Sequence, residues 1–224
     1  MAKEVSHDMK NSSGLRVEGL SKVWGRKPVF TDISFSQPAG TIVGVEGDNG
    51  AGKSTLLKIL ASVLSRDAGQ VFFRDVSLDN LSRWRSLIGY VPQELALDER
   101  LTVKENIRFW AALRGSGKKE IRQILQAAAE DQLVADFLDK PIRESSGGMA
   151  RRASLVIGLL TSPQLLLLDE PFSGADQDSR MQMLRRLDSL RSQGRTILIA
   201  SHEHWILEEI CDNILRLQQG KIVA

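Results

Sequence analysis

The sequence has one cysteine, no long apolar run and almost no net charge. Cys211 is the single cysteine in 224 residues, so an internal disulfide is excluded, which is compatible with a reducing compartment. The longest apolar runs, Leu155–Leu160 and Leu165–Leu168, are far shorter than the ~20 residues that span a bilayer. We therefore expect any membrane-spanning part of a complex to come from a separate chain. The formal charge of +2 gives no electrostatic case for a nucleic-acid partner.

What is present is an ordinary globular composition, with 42% hydrophobic and 26% charged residues. The length fits one large domain or two closely packed subdomains. The polar N-terminus lacks the apolar run of a signal peptide, and residues 1–14, which include His7, are predicted to form a flexible tail. We find no internal repeat and no low-complexity stretch.

Strand and helix patterns alternate along the rest of the chain. Leu15 to Phe35 alternates apolar and polar positions, which predicts antiparallel strands, and Thr41–Val45 is typical of a buried strand. Ser54–Leu64 has helical spacing, and Leu101–Ala135 indicates an all-helical insert. The remaining predictions are strands at Gln164–Leu168 and Thr196–Ala200, helices at Gln177–Gln193 and His204–Cys211, and a hairpin at Ile214–Val223. This order favours an α/β fold with a mostly parallel sheet.

The glycine-rich turn between the Thr41–Val45 strand and the first predicted helix carries the strongest motif. Gly47–Ser54, GDNGAGKS, matches the Walker A pattern G-x-x-x-x-G-K-[ST]. Glycines bring backbone N–H groups close to phosphate oxygens, and the helix adds the positive end of its dipole. Lys53 is predicted to reach the β- and γ-phosphates and Ser54 to bind Mg²⁺. The other predicted ATP-binding residues of this segment are Asn49, Gly50, Ala51, Gly52 and Thr55. The pattern alone leaves kinases, GTPases and many ATPases open.

A second motif is the apolar strand Leu165–Leu168, which ends in Asp169 and Glu170. This sequence fits the Walker B pattern, in which the aspartate lies near Mg²⁺, usually through water. Glu170 is then placed to polarise the attacking water as a general base.

Between these motifs lies Ser145–Arg152, SSGGMARR, which resembles the LSGGQ signature of ABC transporter nucleotide-binding subunits. The other marks of that family follow in the expected order. Tyr90-Val-Pro92-Gln93 resembles the Q-loop, Ser173–Asp176 the D-loop, and Ser201-His202 the H-loop. Trp24 stands where the family usually has an aromatic residue that stacks on adenine. The resemblance extends from about Leu15 to Val223.

The resemblance implies a fold and a set of site residues. The fold is a P-loop NTPase (RecA-like) core with a mostly parallel sheet, an N-terminal antiparallel β subdomain and an all-helical signature subdomain. We expect the core to comprise residues 15–93 and 156–224 and the helical subdomain about 94–155. Gln93 and His202 join Glu170 as catalytic residues, Gln93 joins Ser54 and Asp169 at the metal, and Asp176 lies at the dimer interface. Ser146, Gly147 and Gly148 are implied to bind the ATP held by a second chain.

The sequence departs from the family pattern at four positions. Ser145 and Met149 replace the first and last residues of LSGGQ, Ala175 replaces the usual D-loop leucine, and Trp24 replaces the commoner tyrosine. Ser146, Gly147 and Gly148 remain adequate for phosphate contact, and tryptophan retains a flat π-face. Ala175 is expected to loosen or retune the dimer contact.

By resemblance, the chain is an ATP- and Mg²⁺-dependent ATPase that dimerises around ATP with itself or with a related chain. It would drive a separate polytopic transmembrane permease from the cytoplasmic face of the inner membrane. The stretch Leu101–Trp110 resembles the LTVxENL sequence of bacterial export-type ATPases, which favours export. A soluble ABC ATPase with an assembly role, such as Fe–S cluster scaffolding, remains the alternative, because the site chemistry does not separate the two.

Overall fold

The computed structural model describes residues 14–223, so the predicted tail lies outside the described residues apart from Gly14. The strands are β1 (Leu15–Trp24), β2 (Lys27–Gln37), β3 (Ile42–Glu46), β4 (Ala68–Phe73), β5 (Val76–Ser77), β6 (Ile88–Val91), β7 (Leu165–Asp169), β8 (Thr196–Ser201), β9 (Asn213–Gln218) and β10 (Lys221–Val223). The helices are α1 (Lys53–Leu60), α2 (Leu81–Leu87), α3 (Val103–Leu113), α4 (Lys118–Glu130), α5 (Gly147–Gly158), α6 (Gln177–Ser192) and α7 (His204–Ile210). Short 3-10 helices lie at Ala135–Phe137 and Ile142–Glu144.

The main sheet has six strands in the order β10-β9-β3-β8-β7-β6. All neighbours from β9 to β6 pair in parallel, and β10 closes the edge as an antiparallel hairpin with β9. The central strands β3, β7 and β8 are buried almost throughout, as expected for a parallel sheet covered on both faces. The predicted α/β fold with a mostly parallel sheet is therefore confirmed.

A smaller antiparallel sheet has the order β2-β1-β4-β5. Its first two strands are those predicted from the alternating pattern, while β4 and β5 join it only after α1. The antiparallel sheet thus forms from two separated segments of the chain. It contributes Leu15, Val17 and Leu20 to a hydrophobic cluster beneath α1.

Helix α1 is shorter than the Ser54–Leu64 pattern predicts. It ends at Leu60, where the backbone N–H of Ala61 donates to Leu57 O, and Ser62 then takes a left-handed φ of 57°. A left-handed residue cannot continue a right-handed helix, so the apolar positions beyond it are not helical.

The all-helical insert predicted for Leu101–Ala135 is present as α3 and α4. Thr102 begins α3 with a capping box: its hydroxyl accepts from the Glu105 N–H, and the Glu105 carboxylate accepts from the Thr102 N–H. Helix α5 runs through position 155, so the predicted boundary of the helical subdomain falls inside a continuous helix.

Two hydrophobic clusters cover the two faces of the main sheet. Leu166, Leu168 and Ile197 belong to the cluster that includes α3 and α5, whereas Leu165 and Leu167 belong to the cluster beneath α1. This alternation is the two-residue period of a strand buried on both faces. Because β3, β6, β7 and β8 run parallel to one another, their carboxyl ends meet at one edge of the sheet.

Candidate functional site

The glycine-rich loop leaves β3 at that edge and enters α1. A Cβ atom at Gly47 would lie 2.4 Å from the carbonyl oxygen of Leu217, so this position has no room for a side chain. Gly52 caps α1 with a φ of 106°, a left-handed conformation that glycine adopts without strain. Gly52 has no side chain that could accept from the first N–H groups of α1, which leaves these groups available to an anion.

Lys53 is buried, and its ammonium group is held by the loop itself. Nζ donates to the carbonyl oxygens of Gly47 at 2.6 Å and Asp48 at 3.3 Å. Its nearest carboxylate oxygen is Oε1 of Glu170, 3.9 Å away. The Lys53 ammonium therefore lies inside the loop, and its nearest carboxylate is at the long end of ion-pair distance. This arrangement favours the binding of anionic oxygens.

Ser54 and Asp169 are in direct contact across the sheet edge. The Ser54 hydroxyl donates to Oδ1 of Asp169 at 2.9 Å, and Asp169 is 1% exposed. Its second oxygen, Oδ2, is buried and accepts no hydrogen bond from any group within residues 14–223. Burial raises the pKa of Asp169, the Ser54 bond acts in the opposite direction, and Glu170 reinforces the rise. An uncompensated carboxylate oxygen beside a serine hydroxyl is a donor set that suits Mg²⁺.

Glu170 follows in a turn with a φ of 49°, an uncommon conformation for a residue that is not glycine. Its backbone N–H donates to Ala200 O at 2.9 Å, which fixes the turn to β8. Oε1 lies 3.0 Å from His202 Nδ1, and Oε2 accepts from the Ser201 hydroxyl at 3.2 Å. The side chain is 6% exposed, so this carboxylate is held at the base of the site.

An open cleft of about 390 Å³ lies above these groups. The predicted residues that line it are Trp24, Asn49, Gly50, Ala51, Gly52, Lys53, Ser54, Thr55, Gln93, Glu170 and His202. Asp169 lies behind them, in contact with Ser54. Trp24 is 55% exposed at the mouth of the cleft, with Lys22 Nζ 5.1 Å from its ring centroid. Lys22 covers one face of the ring, and the exposed remainder of the indole is accessible to a planar ligand.

The signature segment lies at the start of α5, away from this cleft. Ser146 caps the helix, its hydroxyl accepting from the Met149 N–H at 3.2 Å. Cβ atoms at Gly147 and Gly148 would lie 2.8 Å from Gly174 O and 2.4 Å from Asp176 Oδ2. The two glycines therefore allow the helix to press against the turn before α6. Ser146, Gly147 and Gly148 do not line the cleft formed by their own chain within residues 14–223.

Asp176 is the N-cap of α6. Its carboxylate accepts from the Ser179 N–H at 2.8 Å and from the Ser179 hydroxyl at 3.0 Å. The backbone bond from Ser179 is the main reason that the pKa of Asp176 is lowered. Ala175, beside it, is buried. Asp176 also lies apart from the cleft, beside the signature glycines.

Two residues near the site were missed as functional candidates. Ser201 is 1% exposed and holds Glu170, and the only signal for it was its position beside His202 at the end of a buried strand. Arg151 was visible only as part of the signature segment. Its guanidinium contacts the backbone after β6 and β7, which no sequence pattern indicates.

None of the helices described between residues 14 and 223 has the length and apolar character needed to cross a membrane.

Comparison of this chain with known protein families and relatives agrees with this geometry. The family model described as "ABC transporter" matches residues 30–173. The linearmycin resistance ATP-binding protein LnrL of Bacillus subtilis (strain 168) is 33% identical over 215 residues, covering 94% of this chain and 68% of that protein. A Nod factor export ATP-binding protein I of Rhizobium meliloti (strain 1021) is 34% identical over 216 residues, covering 96% of this chain and 64% of that protein. The chain thus spans about two thirds of the length of these relatives.

Among solved structures, the ATP-binding subunit of an ABC transporter superposes with a TM-score of 0.82 at 28% identity. The match covers 94% of this chain and 88% of that one. The predicted P-loop NTPase core is thereby confirmed.

Proposed function

This chain belongs to the ABC transporter family, and from that premise we propose that it binds and hydrolyses ATP to drive transport through a separate membrane subunit. One observation carries the proposal. The cleft brings together a buried lysine inside a glycine loop, the Ser54–Asp169 pair and the Glu170–His202 pair. The first is suited to phosphate, the second to a metal ion and the third to a water molecule.

The phosphate loop is the proposed site of the β- and γ-phosphates. Lys53 would exchange its bonds to the loop carbonyls for phosphate oxygens, and the N–H groups at the start of α1 would add donors. Trp24 is proposed to stack on the adenine ring, because its exposed face borders the same cleft.

Mg²⁺ fits the residues present. Ser54 and Asp169 would hold it, Asp169 most readily through water, since Mg²⁺ keeps much of its hydration shell. The observation that supports this site is the buried Oδ2 of Asp169, which has no hydrogen-bond partner in the described part of the chain. When bound, Mg²⁺ would neutralise charge on the phosphate oxygens. Gln93, which lines the cleft, is proposed to approach the metal as well.

Hydrolysis is assigned to Glu170 and His202. Glu170 would accept a proton from the attacking water, and Ser201 and His202 fix its two oxygens. His202 is half exposed at the cleft, where it would contact the γ-phosphate. Phosphoryl transfer depends mainly on position and charge, and this cluster supplies both.

The proposed active unit is a dimer. Ser146 and Gly147 are exposed at the start of α5 and Gly148 is buried behind them, and within residues 14–223 none of the three lines the cleft of its own chain. A second copy, or a related chain, placed head to tail would bring these groups to the phosphate held by the first chain. Asp176, which packs beside Gly148, would then lie at the contact between chains.

A membrane partner and an export direction are proposed from the relatives, whose names refer to linearmycin resistance and Nod factor export. The Leu101–Trp110 stretch supports the same direction. We propose that the partner docks beside Gln93, at a small pocket lined mostly by apolar residues, among them Leu95 and Phe109, which are exposed. The chain would then act peripherally on the cytoplasmic face of the membrane.

The decisive experiment starts with ATP turnover by the purified chain. A tagged Glu170→Gln variant is then trapped with ATP in whole cells, solubilised in mild detergent, and its partners are identified by mass spectrometry. A polytopic membrane protein in near-equal amount supports the transporter assignment. Turnover with only soluble partners would replace transport by an assembly role and leave the ATP site unaffected.

A further inference from the structure

Arg151 lies in the second turn of α5, just beyond the signature glycines, and joins two loops. Its Nε donates to the carbonyl oxygen of Ser173 at 3.1 Å. Its Nη1 donates to the carbonyl oxygen of Gln93 at 2.6 Å. One planar guanidinium therefore bonds to two backbone segments that are far apart in sequence.

Both acceptors belong to the catalytic edge of the sheet. Gln93 follows β6 and Ser173 follows β7, and these strands are parallel neighbours with Val91 opposite Leu168. The Ser173 N–H donates to Glu170 O at 3.2 Å, so Ser173 closes the turn that Glu170 opens. The Arg151 fork thus connects the Gln93 loop to the Glu170 turn.

The environment of Arg151 indicates a positional role. Among residues 14–223, none of the ion pairs includes it, and its bonds go to carbonyl groups instead. Burial lowers the pKa of its guanidinium, while the charges of Glu170 and Asp169 act in the opposite direction. The group remains cationic, and its fixed fork geometry suits two acceptors at a set spacing.

We propose that Arg151 is a positioning residue for ATP hydrolysis. It holds Gln93 and the Glu170 turn at one spacing and transmits displacements of α5 to both. When a second chain's nucleotide engages the start of α5, the same bonds would adjust the hydrolytic groups of this chain. This inference rests on the proposed ATPase function.

The test replaces Arg151 by methionine and by lysine. Arg195→Met is the matched control, because Arg195 also donates to a carbonyl, that of Ser162 at 3.0 Å, at the opposite edge of the sheet. We expect Arg151→Met to lower kcat on the order of 10²-fold, the cost of a small misplacement of reacting groups, with little change in KM for ATP. Arg151→Lys should recover part of kcat, since the cation is kept but one ammonium nitrogen cannot reproduce the separate donor positions of Nε and Nη1.

The outcomes distinguish failure of the proposed ATPase function from failure of the positioning role of Arg151. If the wild-type chain fails to turn over ATP, the proposed function is wrong. If the wild type is active and Arg151→Met keeps its kcat, Arg151 has no positioning role. Equal losses of Tm and activity in Arg151→Met and Arg195→Met would reduce the role to general stability and overturn the inference. Should Arg151→Met fail to fold, Arg151→Lys decides: a normal kcat overturns the inference, and a lowered kcat with unchanged KM and Tm supports it.

Discussion

His202 Nδ1 lies 3.0 Å from Oε1 of Glu170, and this contact joins two loops that end neighbouring parallel strands. The histidine is half exposed at the cleft while the glutamate is buried. A ligand that contacts the exposed His202 can therefore affect the buried Glu170 carboxylate through this contact.

Glu170→Gln should bind ATP but hydrolyse it on the order of 10² to 10⁴ times more slowly, because the amide cannot act as a general base. Single-turnover hydrolysis and nucleotide-binding titrations measure the two properties separately. Glu208→Gln, an exposed change on α7, serves as the control and should hydrolyse at the wild-type rate. Wild-type hydrolysis by Glu170→Gln would remove Glu170 from the mechanism.

Lys53→Ala should lose ATP affinity, because the buried ammonium inside the loop is the only lysine that lines the cleft among the described residues. Equilibrium binding of a fluorescent ATP analogue measures the effect. Lys119→Ala, an exposed change on α4, is the control. Equal affinities for the two variants would mean that the phosphates bind elsewhere.

Asp169→Asn should raise Tm near neutral pH in the absence of nucleotide. Burial raises the pKa of Asp169 above 3.8, so the folded state holds its proton more tightly than the unfolded state does. The resulting stabilisation is present at low pH and is lost as pH rises through the folded-state pKa, which leaves a costly buried charge at neutral pH. The Tm difference between Asp169→Asn and the wild type should therefore shrink as pH falls towards 3.8.

Thermal unfolding of both proteins across this pH range checks the prediction, with the exposed Asp75→Asn as control. With Mg²⁺ and ATP present, the wild type should have the higher Tm, because a ligand stabilises the protein that binds it. A variant less stable than wild type at neutral pH without ligand would contradict the sign of this argument.

Gly148→Ala should lower the free energy of unfolding by roughly 1–3 kcal/mol, the usual cost of overpacking. The new Cβ would lie 2.4 Å from both Asp176 Oδ2 and Ser179 Oγ. Urea unfolding measures the change. Gly117→Ala, where a Cβ would meet no atom within 4 Å, should cost less. A larger loss at Gly117 would show that helix capping outweighs packing in this region.

Cys211 should react slowly with thiol reagents in the folded protein. Burial raises the pKa of its thiol to about 12, and the charge of Asp212 adds to the effect, so little of the reactive thiolate forms at neutral pH. Labelling with a chromogenic disulfide before and after addition of denaturant measures this, and the single thiol makes the stoichiometry simple. Rapid labelling of the native chain would contradict it.

Sequence reasoning located most of the cleft because its motifs are contiguous segments at strand ends. Gly47–Ser54 and Asp169-Glu170 carry their chemistry in adjacent residues, and parallel strands bring such ends together. It could not supply the contact between Ser54 and Asp169, which are 115 positions apart. It missed Arg151 for a related reason. The groups that accept hydrogen bonds from Arg151 are main-chain carbonyls 22 and 58 positions away. Every residue type has such a carbonyl, so no sequence pattern marks the contact.

The segment between α1 and the Gln93 loop was the weakest part of the fold prediction. Strand β4 begins Ala68-Gly69-Gln70, with an exposed alanine and glutamine, and β5 has only two residues. Neither gives the alternation that marks a half-buried strand. Pairing with β1 decides their conformation, and that pairing is not local in sequence.

The hydrophobic cluster on one face of the main sheet has a consequence for how the chain unfolds. Val103 and Phe137 of the helical region share this cluster with Leu168 and Ile199 of the sheet, and α5 crosses between them without interruption. The buried side chains of the helical region in this cluster thus pack in one hydrophobic core with those of the sheet. Excised as a fragment, it would expose the apolar surface that the sheet now covers, so melting of the two parts should be a single cooperative event.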